Sequence, residues 1–275
     1  MHPLPEHPKQ RIAARCAQEL RAGEVVNLGL GIPTLTANYL DADAGVIFHT
    51  ENGAFGFGGR PALDAIDSDI TNAGCEPITL PPGAAIMDLA TSLGAMRNGY
   101  IDVTILGALQ VDALGNLANW ACDRHGKWWP GIGGAMDLCY GTRKVIAALA
   151  HTDKHGNSKI LPRCTLPLTG QGCVKVIVTE HAVFDVADTG LVLREILSHA
   201  TLADIRAMTA APSHWRRCCR RPYRLRPEER SCPPPSTGSS MSSRRLPTCS
   251  LSSSTGCRKT TTSSSAHARL CWAHC

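Results

Sequence analysis

Six short apolar segments, spaced along the first two thirds of the chain and separated by stretches of helical period, decide most of what this sequence can fold into. They are Glu24 to Leu28, Val46 to His49, Ile78 to Leu80, Ile101 to Leu106, Lys144 to Leu149 and Val174 to Val178. Between and around them the apolar period changes to that of a helix, over about Pro8 to Ala22, Thr34 to Leu40, Met87 to Arg97 and Leu202 to Met208. Strands that alternate with helices through Gly-rich turns specify an α/β fold, an open α/β/α domain with a mostly parallel central sheet. In such sheets ligands lie beyond the carboxyl ends of the strands. The loop Glu51-Asn52-Gly53 falls at such an end.

The pattern stops at Pro212. Residues 213–275 carry 12 Lys and Arg against Glu228 and Glu229, with 20 Ser and Thr and seven of the 13 cysteines. The formal charge of +5 therefore divides into −5 over residues 1–212 and +10 over residues 213–275. A segment of the second composition buries too little apolar surface to offset its ordering entropy. The expectation is one domain over 1–212 and a low-complexity, disordered tail over 213–275. The six scattered cysteines of the body read as reduced, mostly buried thiols. No apolar run approaches the roughly 18 residues of a membrane span, and the segment from Met1 to Arg11, with Pro3, Pro5 and Pro8, is not a signal peptide. The cytoplasm is the expected compartment.

Two loops stand out chemically. Glu51 follows an apolar strand and precedes Asn52-Gly53-Ala54-Phe55-Gly56-Phe57-Gly58, whose glycines permit close backbone approach. A carboxylate held there can act as nucleophile, base or metal ligand, or simply cap a turn. Pro130-Gly131-Ile132-Gly133-Gly134-Ala135-Met136-Asp137-Leu138 is a Gly-rich loop that opens a short helix. Its N–H groups suit an anion or a developing oxyanion, and a plain tight turn is the competing reading. It lacks the Gly-Lys-Ser/Thr of a Walker loop and the full dinucleotide fingerprint. Gln110, in a strand, turn, strand segment from Gly107 to Trp120, and Asn27, ahead of Leu28-Gly29-Leu30-Gly31-Ile32-Pro33, are further candidates for the site or for the core. His267, Cys271, His274 and Cys275 have loosely ligand-like spacing but no element to orient them, so no metal is expected.

In order along the chain, these segments and Asn72-Ala73-Gly74, Leu117-Ala118-Asn119-Trp120, Cys164 to Gly170 and Val183-Phe184-Asp185-Val186 resemble the B (β) subunit of class I, 3-oxoacid-type CoA-transferases. The resemblance runs from about residue 9 to 210. It implies a fold of the CoA-transferase/NagB-RpiA-like type, coenzyme A as substrate and no other cofactor. It also implies an obligate A subunit in an A2B2 assembly, with the site at the interface. By resemblance Glu51 is the nucleophile that forms a glutamyl-CoA thioester in ping-pong transfer between an acyl-CoA such as succinyl-CoA and a 3-oxoacid such as acetoacetate or 3-oxoadipate. Gly134 is then the oxyanion donor, with Asn52, Gly53, Asn27, Gln110, Gly131, Gly133 and Ala135 around the substrate and CoA. An ionised nucleophile implies surroundings that leave the Glu51 pKa near its ordinary range. Cys75 stands where many relatives have Lys, and Gly59-Arg60 departs from the usual Gly-x-Gly-Pro. The sequence after Thr209-Ala210-Ala211-Pro212 replaces the family's short apolar ending, as an out-of-frame reading of a GC-rich gene does. Two other readings of the same fold are a non-catalytic or regulatory ligand-binding protein and an acyl-CoA hydrolase.

Overall fold

The structure, a computed structural model, describes residues 4–41, 43–124 and 127–220. Its centre is five parallel strands in the spatial order Ile47–Thr50, Val25–Leu28, Val103–Gly107, Lys144–Ala148 and Val174–Val178. They match five of the six apolar segments, because strands buried on both faces must be apolar almost throughout. Alternate side chains enter two layers. Val26, Val103, Ile105, Ile146 and Val178 pack with Ile12 and Cys16 of the helix Pro8–Ala17. Leu106, Val145, Ala147 and Ile177 pack on the other side with Met96, Leu138 and Ile205 from the helices Leu89–Arg97, Ala135–Gly141 and Leu202–Met208. The expected open α/β/α domain with a mostly parallel sheet is therefore what forms.

Local chemistry sets the helix ends. Pro8 stands in the first turn of its helix, where a missing N–H costs nothing. Asp88 caps Leu89–Arg97 by accepting from the Thr91 N–H at 2.9 Å. Thr201 and Asp204 cap Leu202–Met208 reciprocally in a capping box. Glu19 clamps the first helix to the sheet through Arg15, Lys144 and Arg194. Burial alone would raise its pKa, but these three cations outweigh burial and hold it at about 2.

The chain leaves Val25–Leu28 toward Ile47–Thr50 on one side and returns to Val103–Gly107 on the other. The strand order thus reverses between Val25–Leu28 and Val103–Gly107, the position beyond whose strand ends open α/β sheets bind their ligands. Gly29 lines this point: its N–H donates to the Ile105 carbonyl at 2.9 Å, and a Cβ would lie 3.1 Å from that oxygen.

Several expectations change. The first helix stops at Ala17, and Pro33–Tyr39 winds as a 3-10 helix. Ile78–Leu80 joins no sheet; only the isolated bridge Thr71–Pro77 forms nearby, and the sheet edge is completed instead by the short antiparallel strands Ala54–Phe55 and Ala85–Ile86. At the opposite edge Ala182–Ala187 and Gly190–Ile196 make an antiparallel hairpin, and Ser213–Arg220 pairs in parallel with its second strand. The compositional boundary after Pro212 thus falls at the start of an edge strand, because ladder pairing draws on backbone groups that every composition supplies. Residues 221–275, including His267, Cys271, His274 and Cys275, lie outside the described residues.

Candidate active site

Glu51 is the first residue beyond the carboxyl end of Ile47–Thr50. A tight turn carries it: the Gly53 N–H donates to the Thr50 carbonyl and the Met87 N–H to the Gly53 carbonyl, each at 2.9 Å. Gly53 has φ +117°, and a Cβ there would lie 2.1 Å from the Met87 carbonyl oxygen, so the turn requires glycine.

The second loop meets the first. The antiparallel hairpin Ala121–Arg124 and Lys127–Pro130 delivers the chain to Gly131, whose N–H donates to the Trp120 carbonyl at 2.7 Å. Gly133 and Gly134 then pass directly over the Glu51 carboxylate. A Cβ on Gly133 would lie 3.1 Å from Oε1, and one on Gly134 would lie 2.7 Å from Oε2. The Gly134 N–H donates to the carboxylate. Burial pushes the Glu51 pKa up; the Gly134 hydrogen bond pulls it down, and nearby Asp137 adds to the rise. The carboxylate is half-buried, and Asp137, paired with Arg97, stands on the helix that the glycine loop opens.

Under Glu51 runs a buried polar row that sequence reasoning found only in part. Asn27 is in register with His49 on one side and Thr104 on the other, so the three side chains share one face of the sheet. The Thr104 hydroxyl donates to Asn27 Oδ1 at 3.4 Å, and Asn27 Nδ2 lies 3.2 Å from His49 Nδ1. His49 Nε2 lies 3.0 Å from Ser92 Oγ, which donates to the Glu51 carbonyl at 2.7 Å. All four side chains are buried. Burial pushes the His49 pKa down to about 4. The ring is thus neutral at pH 7, and the directions of the neighbouring bonds place its proton on Nε2.

The remaining expected residues divide. Asn27 reaches Glu51 only through His49 and Ser92, not directly. Asn52 accepts from the Thr50 hydroxyl and donates to the Thr71 carbonyl, each at 2.8 Å, so its side chain holds the 71–76 loop. Gln110 accepts from the Thr165 and Leu166 N–H groups at 2.9 and 3.1 Å, which ties the short strand Gln110–Asp112 to the loop after Ile160–Leu161. Ala135 is buried at the start of its helix, while Gly131 and Gly133 are exposed. Cys75 is the one non-glycine among the described residues with positive φ, 60°, in a turn organised by Asn72. Ser92 carried no sequence signal. His49 had one, a polar residue inside an apolar strand. Among the described residues no group of three or more His, Cys, Asp and Glu side chains could hold a metal ion, and no helix is long and apolar enough to cross a membrane.

A carboxylate beneath glycine N–H groups, at the carboxyl end of a parallel sheet, is equipped to attack a carbonyl and to have the resulting oxyanion stabilised. Comparison with known proteins agrees in family. The beta subunit of the acetate CoA-transferase of Escherichia coli is 51% identical over 203 residues, covering 74% of this chain and 92% of that protein. The B-type subunit of the succinyl-CoA:3-ketoacid coenzyme A transferase of Helicobacter pylori is 41% identical, covering 74% and 97%. The B-type subunit of the 3-oxoadipate CoA-transferase of Pseudomonas putida is 42% identical, covering 74% and 95%. The fold is shared with the acyl-CoA transferase YdiF of Escherichia coli O157:H7, at TM-score 0.61 and 23% identity over 79% of this chain and 43% of that one. It is also shared with the decarboxylase AibA/AibB, at TM-score 0.56 and 17% identity over 76% and 85%. The coenzyme A transferase family model matches residues 9–206, and the chain belongs to that family.

Proposed function

We propose that this chain is the nucleophile-bearing subunit of a heteromeric CoA-transferase and that Glu51 forms a glutamyl-CoA thioester. The observation that carries the reading is the seating of the Glu51 carboxylate against Gly133 and Gly134, with the Gly134 N–H aimed at it. The ionised carboxylate attacks the acyl-CoA thioester carbonyl, forming a mixed anhydride and expelling CoA thiolate. The thiolate then attacks the glutamyl carbonyl, giving glutamyl-CoA thioester and releasing the first carboxylate. An acceptor carboxylate repeats both steps in reverse and leaves as acyl-CoA, with Glu51 regenerated. Each tetrahedral adduct carries an oxyanion, for which the Gly134 N–H is a preset donor once it no longer serves the free carboxylate. Burial makes the carboxylate more basic, and the hydrogen bond from Gly134 favours its ionised form.

Relatives named for acetate, 3-ketoacids and 3-oxoadipate support small carboxylic acids and their CoA esters as the substrates. Those relatives are themselves named as beta or B-type subunits, which supports an A-type partner here, and we propose an A2B2 assembly. Exposed Ile132, Met136 and Tyr140 on the glycine loop and its helix support a partner surface that closes the site.

The test is to co-express the chain with an A-type subunit, add acyl-CoA, reduce with borohydride and map the peptides. The reading predicts conversion of the Glu51 carboxyl to an alcohol, dependent on acyl-CoA. An unmodified Glu51 in an active complex would exclude it.

A further inference from the structure

We propose that the buried row Thr104, Asn27, His49 and Ser92 is a positioning device for the nucleophile, acting on Glu51 through its backbone carbonyl. The inference rests on Glu51 being the nucleophile, and it extends the site inward by four residues that touch no substrate.

The row has a single direction. Thr104 donates to Asn27, Asn27 to His49 Nδ1, His49 Nε2–H to Ser92, and Ser92 to the Glu51 carbonyl. A second bond from Asn27 Nδ2 to the His49 carbonyl, at 3.3 Å, locks the pair at the backbone as well. Each donor leaves its acceptor free to donate onward, so the orientation of every group depends on its neighbour. The terminal hydroxyl fixes the peptide plane from which the Glu51 side chain projects toward Gly133 and Gly134. Met87 holds the other side of the same turn through the Gly53 carbonyl. Ser92 and Met87 lie in and just before one helix, Leu89–Arg97, so both tethers of the turn come from one rigid element.

Stability alone does not call for this row. The opposite faces of the same strands are filled by Val26, Val103, Ile105 and Phe48. Matched apolar side chains in place of a hydrogen-bonded set are often neutral or stabilising. What an apolar row lacks is a donor at the Glu51 carbonyl. A small displacement of the carboxylate from its place under the glycine loop costs rate steeply, because attack requires a near-ideal approach.

The test uses the complete complex and reads two quantities: the first-order rate of Glu51 adduct formation at saturating acyl-CoA, by quench and peptide mapping, and KM for acyl-CoA. Ser92→Ala should slow adduct formation by about tenfold or more with KM changed less than about threefold. His49→Gln keeps an N–H near Nε2 and should hold the rate within about threefold of wild type, whereas His49→Asn places its amide near Nδ1 only and should fall with Ser92→Ala. Melting temperatures of all three distinguish a positional loss from unfolding; should Ser92→Ala fail to fold, the contrast between the two His49 variants decides. A wild-type rate in folded Ser92→Ala, or equal losses in His49→Gln and His49→Asn, overturns the proposal. Absence of any adduct in the wild-type complex would instead defeat the nucleophile assignment.

Discussion

Two buried histidines of this molecule have the same burial and a polar partner at each ring nitrogen, yet they do different things. His49 and His151 are both fully enclosed, both bonded at each ring nitrogen, and both pushed down to a pKa of about 4, by burial and, for His151, also by His181. His151 lies 3.0 Å from the Thr179 hydroxyl and 2.9 Å from that of Thr209. Each hydroxyl also lies within reach of a backbone carbonyl, Ala182 at 3.1 Å and Ile205 at 2.6 Å; because the neutral ring has one N–H, one hydroxyl donates to the ring and the other accepts from it and donates to its carbonyl. The His151 cluster therefore fastens the helix Leu202–Met208 to the end of Val174–Val178, and its outputs are structural. The His49 row ends at the carbonyl of Glu51, which also carries the reactive carboxylate. The function of a buried polar cluster is thus read from where its last hydrogen bond goes, not from its composition.

Perturbing each end should separate rate from stability. The largest effect is expected at the glycine loop. Gly134→Ala sets a methyl 2.7 Å from Glu51 Oε2 and 3.2 Å from its carboxyl carbon. Alanine keeps the N–H but pushes the carboxylate out of place, so the kcat of the complex should fall by roughly 10²-fold, with the melting temperature of the chain little changed. Steady-state kinetics beside thermal melts checks this.

At the other cluster, His151→Ala leaves a cavity and removes one hydrogen-bond partner from each of two buried threonines. Chemical denaturation should show a loss of about 2–4 kcal/mol, with kcat per folded complex within about twofold of wild type. A rate loss as large as that of Ser92→Ala would erase the distinction between the clusters.

A smaller effect is expected from acid. Both ring pKa values are depressed from the ordinary 6.5 to about 4. The stability they contribute is therefore complete above pH 6.5 and is lost as pH falls toward 4, because the unfolded chain takes up protons that the folded chain refuses. Between pH 7 and 5 each histidine should cost about 2 kcal/mol. His151→Gln should remove about half of that loss, and His49→Gln the other half. An unchanged pH slope in either variant would show that its histidine does not titrate in this way.

The legible and illegible parts of the molecule divide by range. Five strands, the glycine loop and the terminal helix could be read locally, because apolar runs, turn glycines and Thr201 with Asp204 act within a few residues. Glu51 and Gly134 stood out through motif order and resemblance, and the structure brings them together. The hairpin Ala182–Ala187 with Gly190–Ile196 and the edge strand Ser213–Arg220 were missed. Their pairing depends on backbone groups, and the basic, Cys-rich composition after Pro212 hid the strand. The polar row was illegible for another reason. Asn27 and His49 become neighbours only through the register of parallel strands, and Ser92, 43 residues beyond His49, meets them only when its helix covers the sheet. Gln110 shows the opposite error: a polar residue after a buried run suggested a site, and its amide is used within the scaffold.

The most direct test of the account is to mix the assembled complex with acyl-CoA alone and measure the free carboxylic acid released before any acceptor is added. A thioester at Glu51 predicts a burst of one acid per Glu51, bound CoA in equal amount, and neither in Glu51→Gln. No release until acceptor is present, or an undiminished burst in Glu51→Gln, would contradict it.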